Sequence, residues 1–144
     1  MRRILGLALL LAGVLALSAG ISAAGASTKF SATEVITDNG RLVLSFDEGS
    51  LKRFASVDYR LDATAAVVSP TMAHNYTDLK VTVTLTPDDN GRVVGTLTLT
   101  DVSLSFPGGP CTCGPVHVAY FDMTLTNLTT GHVYRLDPIG RDFP

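Results

Sequence analysis

The chain has 144 residues and a formal net charge of −2, a length that suits one domain around a single core. Its 11 basic and 13 acidic residues are interspersed, and it has no Trp. That balance excludes the clustered Lys and Arg that nucleic acids and anionic membranes require.

The first element is a leader. Arg2 and Arg3 precede an uncharged, leucine-dense run over 4–17. Small residues come next, ending in Ala24-Gly25-Ala26 before Ser27. A basic start, a short apolar run and an A-x-A site are the parts of a secretory signal peptide. The expected organisation is a signal peptide over 1–26 and a single β domain over 27–144. Loss of the leader takes the formal charge from −2 to −4, since Arg2 and Arg3 go with it. The expected location is secreted, extracellular or periplasmic, with no membrane insertion once the leader is removed, and with thiols free to oxidise.

Val and Thr dominate the chain beyond the leader, and both favour pleated, half-buried strands. A strand is predicted over 30–37, and Asn39-Gly40 then turns the chain into Leu42, Leu44 and Phe46, which alternate with Arg41, Val43 and Ser45. Asp47 and Glu48, before Gly49, read as turn residues. Read as a carboxylate pair they lack a third polar partner, and neighbours on a strand point to opposite faces. Leu51, Val57, Tyr59 and Leu61 share one parity. Residues 63–76 are Ala-rich around Pro70 and read as a helical turn or a long loop. Leu79, Val81, Val83 and Leu85 alternate with Lys80, Thr82, Thr84 and Thr86, as do Val93, Leu97 and Leu99 with Thr96, Thr98 and Thr100. The turn at 87–91 between these two runs predicts an antiparallel pair.

The apolar parity then flips twice, at 100–101 and at 120–121. A one-residue slip sends side chains to the other face. Bulges there predict a long bent hairpin across 107–115 whose halves serve different sheets. Thr130-Gly131 joins the last two strands, 121–128 and 132–136. The whole reads as all-β, an antiparallel β-sandwich, Ig-like or similar, of about seven strands. The alternative is a small up-and-down barrel.

Chemistry-bearing residues are few. Cys111 and Cys113 sit among three Pro and three Gly at 107–115. In an oxidising compartment they are expected to form a small, strained disulfide. With His117 they spell C-x-C-x₃-H, a partial set for zinc or cuprous copper that lacks a fourth ligand. The stretch Pro87-Asp88-Asp89-Asn90-Gly91 lacks the spaced oxygens and late Glu of a calcium loop and reads as a hairpin turn. Asn75 and Asn127 each begin an N-glycosylation pattern, which in a Thr-rich chain arises readily by chance. Tyr59, Tyr76, Tyr120 and Tyr134 are the available aromatic platforms besides Phe. No nucleophile motif or phosphate loop occurs and no cofactor is implied. The expected function is therefore a non-catalytic exported module for binding, adhesion or the cell envelope, with an extracellular protein or glycan as partner. The alternative is a secreted redox or metal-handling protein built on the cysteine loop.

Overall fold

The computed structural model describes residues 29–104 and 114–144. The leader over 1–26, Cys111 and Cys113 lie outside the described residues. Eight strands are present among them: β1 (Phe30–Ile36), β2 (Leu42–Glu48), β3 (Val57–Ser69), β4 (Met72–Leu85), β5 (Val93–Leu99), β6 (Val116–Asn127), β7 (Val133–Arg135) and β8 (Ile139–Phe143). There is no helix among the described residues, and hence none long and apolar enough to cross a membrane.

The strands form two antiparallel sheets. One has the order β1-β2-β5 and the other β4-β3-β6-β7, with β8 also pairing β6. The chain is a β-sandwich and does not close into a barrel, which removes the barrel alternative. In the constant-type immunoglobulin arrangement the fourth strand lies beside the fifth. Here β4 lies beside β3 instead, so among the described residues β5 has only β2 as a strand neighbour.

Period-2 alternation places the core. Leu42, Leu44 and Phe46 on β2 face Tyr59, Leu61, Ala63 and Ala65 on β3 and Met123 and Leu125 on β6, all buried. Leu97 and Leu99 complete the wall from β5. At one end, the Tyr120 hydroxyl donates to the Gly40 carbonyl at 2.8 Å and ties β6 to the β1–β2 turn. Gly40 has φ +85°, the left-handed region that Gly enters without strain.

Three sequence expectations are corrected. First, 63–76 is neither helical turn nor loop. It is the end of β3, a turn at Pro70 and Thr71, and the start of β4. Ala63, Ala65 and Val67 all point inward, and small residues on alternate positions are as good a strand face as large ones. Second, the runs either side of 87–91 do not pair with each other. β4 pairs β3 and β5 pairs β2, so the turn crosses from sheet to sheet. Both runs alternate because both line the core, one from each side.

Third, β5 and β6 do not form a bent hairpin. β5 ends at Leu99, and Leu104 N–H donates to the Asn39 carbonyl rather than to a strand partner. The second parity flip is a bulge, centred at Asp122 (φ +51°), where two residues of β6 oppose Ala63. A matching bulge on β4 sets Asp78 (φ +57°) and Thr77 against Thr64. Asp tolerates this left-handed region better than most residues. The bulges flank β3 at one height and restore inward parity on both sides, from Tyr76 to Leu79 and from Tyr120 to Met123.

Candidate functional site

The alternation that buries Leu42, Leu44 and Phe46 continues one step further, to Glu48. Its side chain is 0% exposed, so a carboxylate closes the core at the end of β2. An isolated buried charge is costly and must be hydrogen-bonded. All of its hydrogen-bond partners come from the opposite sheet. Tyr59 on β3 donates its hydroxyl to Oε2 at 2.6 Å, and Asn127 on β6 donates Nδ2 to the same oxygen at 2.9 Å. Tyr134 on β7 donates its hydroxyl to Oε1. His132 Nδ1 stands 4.0 Å from Oε1, with its side chain 55% exposed. Glu48 and Asn127 are the only buried polar or charged residues among the described residues.

The environment fixes the protonation of Tyr59. Burial pushes its phenol well above the ordinary range, and the hydrogen bond to Glu48 and the negative charge there push it further. Tyr59 therefore stays a donor at any physiological pH. Its ring tilts against Phe46 at 4.6 Å between centroids.

Asn127 works in two directions. While Nδ2 holds Glu48, Oδ1 accepts from the N–H groups of Thr129 and Thr130 at 3.1 and 3.0 Å. This Asx-type turn, with Gly131 at φ +81°, shapes the loop that presents His132. A glycan on Asn127 has no room in this fold, because the side chain is fully buried and its nitrogen is committed. Asn75 lies exposed on β4.

Above the carboxylate lies an aromatic pair, half-buried against the core. The Tyr134 ring stacks on Phe30 at 3.7 Å and 3°. Beside it runs an open groove of about 700 Å³ lined by Lys29, Phe30, Ser31, Asp47, Asn90 and Arg92, among others. The Arg92 guanidinium grips Asp47 in a two-point fork, with Nε at 2.8 Å from Oδ1. That hydrogen bond, more than the charge itself, holds the Asp47 carboxyl below its usual range. Asp47 and Glu48 are thus not a working carboxylate pair; they face opposite sides of β2. The turn reading of both is corrected, since both lie within the strand. The loops after β2 and β4 meet here, where Leu51 N–H donates to the Gly91 carbonyl at 2.8 Å.

The other sequence candidates lie apart. His117 is half-exposed on β6 at the opposite end, and its Nδ1–H donates to Asp142 Oδ1 at 2.6 Å. His74 sits on β4 edge-on to Tyr76. No group of three or more His, Cys, Asp or Glu able to hold a metal occurs among the described residues. Asp88 Oδ1 accepts from Asn90 and Arg92 N–H groups, so its loop is a turn held by a side chain. Tyr59 and Tyr120 are buried, which removes them as platforms, while Tyr76 and Tyr134 are partly accessible.

Motif reading of the sequence misses the Glu48 cluster, although the parity of β2 marks it. Chemically it is a rigid tie: a carboxylate sealed from solvent beneath the half-buried Phe30–Tyr134 pair and His132. No protein-family model matches this chain, and no curated protein or solved structure is similar to it at a significant level.

Proposed function

We propose that this chain is an exported, non-catalytic β-sandwich module that binds a protein or glycan at the end closed by Glu48. The observation that carries this reading is the groove of about 700 Å³ beside the stacked Phe30–Tyr134 pair. Loops on a rigid sandwich are a common place for recognition. Here they rest on a hydrogen-bonded tie across both sheets, so the groove wall is pre-organised, which lowers the ordering cost of binding. The Phe30 ring, an amide at Asn90 and the Lys29 ammonium, all lining the groove, suit a polar ligand with an apolar face. The leader supports export with cleavage after Ala26, to an extracellular or periplasmic location.

The test is a glycan and peptide array probed with the whole chain, beside the variants Asn90→Ala and Lys29→Ala, both of which line the groove. Neither residue belongs to the three hydrogen bonds on Glu48, so thermal midpoints are expected to hold. Array signals that fall in both variants support the groove. Signals unchanged in both place the ligand elsewhere.

A further inference from the structure

The lateral rims of a sandwich expose rows of backbone N–H and C=O groups, which natural chains protect against stray pairing. Three of the four rims here carry such protection. On β1, Arg141 Nη1 donates to the Ile36 carbonyl at 2.7 Å and Nη2 reaches Asp38, while Tyr134 covers Phe30. β4 carries the bulge at Asp78 and the charge of Lys80. The far rim of the second sheet consists only of short β7 and β8, with Arg135, Arg141 and Asp142 on them.

The rim of β5 has none of these devices. Val93–Leu99 contains no charge and no Pro, and its register with β2 runs unbroken over all seven residues. No strand pairs with its other edge among the described residues. On its outer face Val94 is 67% exposed, the most exposed large apolar residue among those described. The edge is open because β4 has joined β3.

We propose that the β5 edge is an interface between two copies of this chain, with β5 pairing antiparallel to β5 of the second copy about a two-fold axis through Thr96. The strand is complementary to itself in that register. Thr96 meets Thr96, Val94 meets Thr98, and Val93 meets Leu99 across the axis, all good cross-strand pairs with no like charges opposed. At the ends, Arg92 of one copy falls opposite Thr100 of the other, with exposed Asp101 one residue beyond, so no like charges are opposed there either. Such a contact is closed and isologous, and it satisfies both open edges at once. The two three-stranded sheets become one of six strands, β1-β2-β5-β5-β2-β1. This interface does not depend on the identity of the groove's ligand.

The test is sedimentation equilibrium of the full chain over a concentration series, with Thr96→Lys, Thr96→Glu and their mixture. Thr96 is exposed, and circular dichroism and thermal midpoint check that each variant folds. The wild type is expected to form a dimer. Either variant alone opposes like charges on the axis and is expected to weaken it by at least about tenfold. Mixing the two is expected to restore a mixed dimer. Hydrogen exchange on the wild type gives an independent reading: β5 edge amides become more protected as concentration rises. A wild type that stays monomeric, a dimer indifferent to Thr96→Lys, or edge protection independent of concentration would overturn the proposal.

Discussion

Raising the pH should destabilise this protein through two buried tyrosines. Tyr120 is fully buried, and burial, the largest cause, pushes its phenol from the ordinary value of 10.0 up to about 12. Tyr59 is pushed up further, by burial and then by Glu48. Both folded-state values lie above the unfolded ones, so the unfolded chain loses these protons first. The stability they represent is intact below pH 10, and for Tyr120 it is lost as pH rises from there through about 12. At about pH 11 an unfolded phenol is roughly nine-tenths ionised and a folded one barely so, which costs about 1.4 kcal/mol per tyrosine. Both together remove about 3 kcal/mol relative to neutral pH, a sizeable share of the roughly 5–15 kcal/mol typical of a domain. Urea unfolding at a series of pH values measures this. The tyrosinate absorbance due to Tyr59 and Tyr120, read as the difference between the wild type and the Tyr59→Phe and Tyr120→Phe variants, should rise together with loss of structure rather than before it. In Tyr59→Phe the neutral-pH stability falls, but the further loss up to about pH 11 should shrink by about half. Stability that is flat to that pH, or an identical slope in Tyr59→Phe, would refute the reasoning.

Other perturbations have equally definite outcomes. A Cβ at Gly95 would lie 2.5 Å from Leu85 Cδ1 and 2.7 Å from Phe46 Cζ. Phe46 is buried and cannot retreat, so Gly95→Ala should cost about 1–3 kcal/mol in urea unfolding. Gly91 has φ +74°, and a Cβ there would lie 2.4 Å from the Lys52 backbone nitrogen. Gly91→Ala should therefore cost at least about 2 kcal/mol, with the damage at the β4–β5 turn visible by hydrogen exchange. Mass spectrometry of the chain recovered from the export fraction should show a start at Ser27. Thiol titration of that material should find Cys111 and Cys113 unreactive until reduced.

The strands are legible because burial imposes a period of two that local sequence records directly. Leu42-Leu44-Phe46 and Val93-Leu97-Leu99 could hardly be anything else. What local pattern does not record is which sheet a strand joins. The runs on either side of 87–91 both alternate because both face one core, and nothing local distinguishes a hairpin from a crossing. Ala63 and Ala65 mislead because alanine carries little apolar contrast and Pro70 suggests a loop, although it occupies the turn of a long hairpin. The Glu48 cluster is half-legible. Parity along β2 points its side chain inward, yet Asp47-Glu48-Gly49 has the composition of a turn. Its partners Asn127 and Tyr134 lie 79 and 86 residues away, a separation that leaves no local trace.

The tie between the sheets is tested most directly by a double-mutant cycle of Glu48→Gln and Tyr59→Phe, measured by urea unfolding near neutral pH. Hydrogen bonds to a charged group are worth about 1.5–3 kcal/mol, so the two residues should couple by at least about 1 kcal/mol. Strict additivity of the two substitutions would mean that the buried carboxylate does not join the sheets through Tyr59.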